Sequence, residues 1–205
     1  MLSMNSTNPV LCLASVSPRR RELLSQIGVS HVVMGADIDE AVLPGDTPSD
    51  YVSRLAREKA LAIRRGGQHL PVLAADTTVV VNEKVFGKPR DRAEAVDMLA
   101  ELSGRAHEVL TAVALADSRG VAERLSSSTV RFRNLTREEC VAYWETGEPR
   151  DKAGGYAIQG LGAVFVESLR GSYSGVMGLP LFETGELLRA AGIPYWGAGR
   201  SGARA

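Results

Sequence analysis

The sequence predicts an α/β protein: a mixed β-sheet with flanking helices. Strand and helix signals alternate along most of the chain, apolar runs giving way to apolar residues at helical spacing. Two pairs of strand runs also fold back on themselves across short turns, as antiparallel neighbours do. Hairpins mixed with helices exclude a purely parallel, doubly wound sheet.

Residues 10–14 read as the first strand, followed by a helix over 18–27 that opens at Ser17-Pro18, with Ser17 at the cap and Pro18 in the first helical position. Residues 32–34 read as a short strand leading into the acidic loop ADIDE. The stretch 48–65 is a helix: Val52, Leu55, Ala56, Lys59, Ala60 and Ile63 share one face, and Gly66-Gly67 ends it. VLAADTTVVV, 72–81, is a strand, turned at Asn82-Glu83 into a return strand at 84–86. Asp91 and Glu94 have capping-box spacing for a helix through Leu102, stopped by Ser103-Gly104. Residues 107–116 and 121–132 form a long hairpin. Thr136 and Glu139 start another capped helix that stops at Gly147. The glycine-rich AGGYAIQGLGAVFV contains a further strand, and the last helix covers 181–190.

The chain has 205 residues, enough for one domain with a real core, placed at 9–196, with disordered tails at 1–8 and 197–205. Lys plus Arg and Asp plus Glu are both 24, and a zero net charge speaks against a general nucleic-acid or anionic-membrane binder. Any positive patch must be local. Cys12 and Cys140 fit no metal or redox spacing and read as small buried hydrophobes in a reducing compartment. No apolar run has the length of a membrane span and the start lacks a signal-peptide pattern, so the expected location is the cytoplasm.

Asp76 is the first candidate for chemistry. It interrupts an apolar strand, where an ionised carboxylate is costly unless paired, hydrogen-bonded or metal-bound. Its chemistry leaves two roles open, metal ligand and general base. The cations form a second group. Arg19 and Arg20 stand in the first turn of a helix, where the backbone dipole is positive and acids belong. Lys88 precedes a proline, Lys152 precedes a glycine pair, and Lys59 lies in a helix. Singly each is surface; together, near a free helix N-terminus, they suggest a polyanion pocket with phosphate as its natural ligand. Asp37, Asp39 and Glu40 of ADIDE would complete a carboxylate, cation and phosphate site if that loop faced Asp76. The glycine-rich stretch matches neither a P-loop nor the dinucleotide fingerprint. His31, His69 and His107 have no metal spacing, and Trp144 and Trp196 read as packing residues.

LASVSPRRRELL, ADIDE, YVSRLAREKA, LAADTTVV, FGKPRDRAEAVDML, LSGRAHEVLTAVAL, EPRDKAGGYAIQG and GSYSGVMGLPLFET occur in one order across residues 10–190. In that order they resemble the Maf family, nucleoside triphosphate pyrophosphatases once described as septum-formation inhibitors. The resemblance implies a two-lobed fold around a deep cleft, of the Maf/Ham1, ITPase-like kind, and a homodimer. It also implies cleavage of a nucleoside triphosphate to monophosphate and pyrophosphate with a divalent cation (Mg or Mn), a house-cleaning reaction linked to arrest of cell division. Asp76 then matches the proton acceptor, and Arg19, Thr77 and Gln159 match the positions tied to substrate choice. Asp151 to Gly160 fit the DKAG-x-Y-x-IQG pattern of members acting on dTTP and UTP, including the option of modified pyrimidine nucleotides. A Gln amide can donate to O4 and accept from N3–H of uracil or thymine in one bidentate contact.

On this reading water attacks the α-phosphorus in line, with Asp76 orienting and deprotonating it or binding the metal that does so. Arg20, Lys59, Lys88 and Lys152, with Arg19, neutralise the phosphates. Ser15 and the N–H groups at Pro18 onward contact phosphate oxygens, and Glu40 is a second carboxylate or metal ligand. Two alternatives stand beside this reading: the same chemistry on a 7-methyl-GTP type of base, and a regulator of septum formation that acts by binding. A nucleoside triphosphate is the expected partner, with neither nucleic acid nor membrane.

Overall fold

The computed structural model describes residues 8–196, so the tails expected at 1–8 and 197–205 lie, apart from Asn8, outside the described residues. The strands are β1 (Leu11–Leu13), β2 (His31–Val33), β3 (Val72–Val81), β4 (Lys84–Phe86), β5 (Ala106–Asp117), β6 (Gly120–Phe132) and β7 (Val166–Arg170). The helices are α1 (Pro18–Gln26), α2 (Pro48–Arg65), α3 (Arg92–Leu102), α4 (Arg137–Glu145), α5 (Tyr173–Met177) and α6 (Leu181–Ala190). One mixed sheet takes the order β2-β1-β3-β5-β6-β7, with β4 also paired to β3. β1 runs parallel to β2 and β3, and every other pairing is antiparallel.

The pairing leaves a gap that matters. β1 meets β3 only at Val72 and Leu73, whereas β4 returns along Val79–Val81. β5 lines the whole opposite edge of β3. Residues 74–78 therefore have no strand neighbour on the β1/β4 edge among the described residues. The turn into β4 closes because Asn82 (φ 47) and Glu83 (φ 64) both adopt the left-handed conformation of a two-residue hairpin.

Alternation along β3 divides the core. Val72, Ala74 and Val80 pack with Val52, Ala56, Ala60 and Ile63 of α2 on one face. On the other, Leu73 and Ala75 join α1 and α6 through Leu23, Leu24, Leu187 and Leu188. Val79 and Val81 join a separate cluster with Leu99 of α3 and Cys140 of α4. Thr77 falls between those two clusters, so the two lobes part at the middle of β3. Cys12 and Cys140 are both free and buried. No helix among the described residues is long and apolar enough to cross a membrane.

Local chemistry explains most element ends and corrects some expectations. Thr47 and Asp50 form a full capping box for α2, as Thr136 and Glu139 do for α4. The box expected at Asp91 and Glu94 is only half made. Asp91 accepts from the Glu94 N–H, but the Glu94 carboxylate turns to the Arg90 backbone and guanidinium, at 2.7 and 2.9 Å. Ser17 stands at the α1 cap without a side-chain capping bond. The strand assigned to AGGYAIQGLGAVFV starts only at its last residue, after three 3-10 turns. α5 was not expected from the sequence, and Trp196 is 78% exposed rather than packed.

Candidate active site

A cavity of about 510 Å³ opens beside residues 74–78, where β3 has no strand neighbour on its β1/β4 edge among the described residues. Ser15, Arg19, Arg20, Glu40, Lys59, Asp76, Thr77, Lys88, Lys152 and Gln159 all line it, whereas Asp37 and Asp39 of ADIDE do not. Five of these are basic, set against the carboxylates of Glu40, Asp76 and Asp151, which leaves two net positive charges in one cavity.

Asp76 and Thr77 are neighbours on β3 and so project to opposite faces. Asp76 turns toward α2, where its Oδ1 accepts from Lys59 Nζ at 2.6 Å. Lys59 is flanked on its helix by the buried Leu55, Ala56, Ala60 and Ile63, so its stem runs over apolar surface and its side chain is 11% exposed. The same ammonium lies 2.6 Å from Glu40 Oε1. ADIDE thus does face Asp76, through Glu40 and a shared lysine. Tyr51, eight residues before Lys59 on α2, donates from its hydroxyl to the Glu40 carbonyl at 3.0 Å. Burial, then the charges of Asp76 and Glu40, raise the Tyr51 phenol above its ordinary range. Partial burial pushes the Glu40 carboxyl up, but the Lys59 hydrogen bond and the charges of Lys59, Lys88 and Arg20 outweigh it and hold it low.

Arg20 is the keystone on the opposite face. Its Nε donates to the Gly178 carbonyl at 2.7 Å, Nη1 to Ser15 Oγ at 3.3 Å and Nη2 to Thr77 Oγ1 at 3.3 Å. Among the described residues three of its five N–H groups are used, and two remain for a ligand. Desolvation lowers its pKa, the Asp76 charge opposes that, and Arg19 adds to it. Thr77 is in turn held by Thr111, whose buried hydroxyl lies 3.0 Å from Thr77 Oγ1 and 2.8 Å from the Gly175 carbonyl. Arg19 takes a different partner, Asp151, at 3.2 Å. Asp151 also pairs with Lys152, whose Nζ reaches the Glu148 carbonyl at 3.1 Å. Burial raises the Asp151 carboxyl, and Lys152 and Arg19 more than reverse it. Lys88 and Gln159 are exposed at the cavity wall, and Arg21 is exposed on α1.

Two of the three cavity carboxylates, Asp76 and Glu40, share one ammonium and so lie together, while Asp151 is engaged by Arg19 and Lys152. No group of three or more His, Cys, Asp or Glu could hold a metal among the described residues. Such a pair does not make a closed protein cage. It suits a Mg²⁺-like ion, which is held by one or two carboxylates and takes its other ligands from water and substrate phosphates.

Sequence reasoning missed Tyr51, Asp151 and Thr111 as parts of the site. Tyr51 had a readable signal, since it shares the i, i+4, i+8 stripe with Leu55 and Lys59. Asp151 had only its adjacency to Lys152. Thr111 had none, because its contact with Thr77 depends on the β3–β5 register.

Comparison with known proteins gives a consistent result. The family model described as Maf-like protein matches residues 10–191. A dTTP/UTP pyrophosphatase of Saccharophagus degradans is 53% identical over 91% of this chain and 90% of its own length. One from Methylobacillus flagellatus is 55% identical over 88% of this chain and 92% of its own. One from Alkalilimnicola ehrlichii is 54% identical, covering 91% and 95%. Among solved structures, the Staphylococcus aureus Ham1 protein aligns with a TM-score of 0.50 at 14% identity, over 88% of this chain and 96% of that one, and shows likeness of fold alone.

Proposed function

The chain belongs to the Maf family, and from that premise we propose that it hydrolyses dTTP and UTP to the monophosphate and pyrophosphate. The observation that carries this reading is the cavity itself: five basic side chains, a strand-borne carboxylate and an exposed Gln amide on one surface. A triphosphate supplies the negative charge that the first turn of α1 lacks, and so accounts for cations at the positive end of a helix.

The Asp76 carboxylate is the base. It orients water against the α-phosphorus and takes its proton as the new P–O bond forms and the bond to the bridging oxygen breaks. Lys59 aims Asp76, since its ammonium is the carboxylate's hydrogen-bond partner at 2.6 Å. Arg19, Arg20, Lys88 and Lys152 stabilise charge on the leaving pyrophosphate. Asp76 and Glu40 would hold the divalent cation that accompanies the nucleotide, and the ion would supply electrostatic stabilisation of the phosphate oxygens. Gln159 reads the imide edge of uracil or thymine, donating to O4 and accepting from N3–H, with Arg19 and Thr77 also bearing on substrate choice. A homodimer and a cytoplasmic location complete the proposal, resting on the family and on two free, buried cysteines.

A panel of nucleoside triphosphates, including 7-methyl-GTP, assayed with Mg²⁺ or Mn²⁺ for pyrophosphate release tests the proposal. Turnover fastest on dTTP and UTP supports it. Turnover fastest on a purine overturns the assignment of the base, and no turnover of any nucleotide overturns the enzyme.

A further inference from the structure

Gln159 sits on a turn that two side chains outside the cavity hold from both sides. Tyr143, near the end of α4, donates from its hydroxyl to Glu148 Oε1 at 2.6 Å. The same hydroxyl accepts from the buried Ala157 N–H at 3.1 Å. Glu148 completes the clamp: Oε1 accepts from Gly162 N–H and Oε2 from Leu161 N–H, each at 3.0 Å. Ala157 and Leu161 each lie two residues from Gln159, so the bonds bracket it.

The fit is tight enough to set the sequence of the turn. A Cβ on Gly160 would lie 2.1 Å from Glu148 Oε2, and one on Gly162 would lie 2.6 Å from the Tyr143 hydroxyl. The carboxylate and phenol thus occupy space that any side chain at those positions would need. Glu148 also reaches the phosphate end of the site, because its carbonyl accepts from Lys152 Nζ. Burial and the Glu148 hydrogen bond raise the Tyr143 phenol well above its ordinary range, so it stays a donor at any pH where the enzyme works.

We propose that Tyr143 and Glu148 are positioning residues that set the Gln159 amide for base recognition, a role that rests on the reading of Gln159 given above. A bidentate amide contact tolerates displacements of only about 0.5 Å. Removing either clamp member leaves a main-chain N–H on the turn without its acceptor, and the turn then shifts to recover a partner.

Glu148→Gln and Tyr143→Phe keep side-chain volume and remove the carboxylate or the hydroxyl. Steady-state kinetics on UTP and on CTP, whose ring carries a 4-amino group instead of O4, would be measured for each, with folding checked by circular dichroism. The expected result is a UTP-over-CTP preference in kcat/KM reduced about tenfold, the scale of one hydrogen bond lost from recognition, with CTP turnover little changed. In a Gln159→Ala background, where that preference is already lost, neither clamp change should lower it further. If Gln159→Ala lowers the preference while both clamp variants keep it, the positioning role is wrong. The role is equally overturned by equal losses on UTP and CTP, or by clamp effects that add in full to Gln159→Ala. If Gln159→Ala itself leaves the preference intact, the base reading of Gln159 fails, and the clamp's role goes with it.

Discussion

Replacing Asp76 by Asn removes one negative charge while keeping shape, and the structure separates its effects on catalysis, binding and stability. The Asp76 side chain is 11% exposed, and its partner Lys59 keeps a second carboxylate, Glu40, at 2.6 Å. Lys59 is therefore not stranded, and the loss of one charge-assisted bond costs about 1–2 kcal/mol of stability. For a domain of this size that is about 2–8 °C in melting temperature, by the usual scaling of about 2–4 °C per kcal/mol. Catalysis should suffer far more. An amide cannot take the proton of the attacking water, and loss of general-base assistance lowers kcat about 10²–10⁴-fold, or about 3–5 kcal/mol in the barrier. With Mg²⁺ held saturating, so that the loss of one of its two carboxylates does not limit, KM for dTTP should stay level or fall, because the cavity gains a net positive charge. Pyrophosphate release under steady state, beside a thermal melt, reads all three quantities. A folded Asp76→Asn protein whose kcat stays within tenfold of the parent would refute the assignment of the base.

Arg20→Lys keeps the charge but loses the three-way fork to Ser15, Thr77 and Gly178. It should cost about 1–2 kcal/mol in chemical denaturation as well as kcat/KM, whereas a pure phosphate contact would leave stability alone. Gly154 has φ +68, and a Cβ there would lie 2.8 Å from Val79, so Gly154→Ala should cost about 2–4 kcal/mol from left-handed strain plus overlap, read as a lower urea midpoint. His107 is buried against Tyr156, Nε2 to hydroxyl 2.8 Å, and burial lowers its pKa to about 4. Between about pH 6.5 and 4 the unfolded chain takes up a proton at this ring that the folded chain refuses. Stability therefore falls as pH drops through that window, by up to about 3 kcal/mol, and this contribution levels off below it. Urea midpoints at pH 7, 5.5 and 4.5 should show a shallower pH dependence for His107→Gln than for the parent.

The parts of the fold legible in the sequence are those with a local cause. β3 is read to its observed bounds because ten residues of mostly apolar, β-prone sequence end in a tight turn. α2 is read because its buried stripe and its glycine stop agree. α5 escaped because a five-residue helix has no periodicity to detect; its one local cue is Ser172 accepting the Gly175 N–H at 3.0 Å. The half-made box at Asp91 fails for a reason outside its motif, since Arg90 competes for Glu94. In the site, residue types were legible and proximity was not. Asp76 and the cations stand out by chemistry in an unsuitable place, but Arg19 meets Asp151 across 132 residues of chain, and only strand order brings them together.

In the proposed reaction water attacks the α-phosphorus of dTTP or UTP and expels pyrophosphate. Turnover of dTTP in H2¹⁸O, with both products analysed by mass spectrometry, tests it most directly. Attack at the α-phosphorus places the label in dTMP and leaves the pyrophosphate unlabelled. Label in pyrophosphate, or release of single phosphates in its place, would contradict the account.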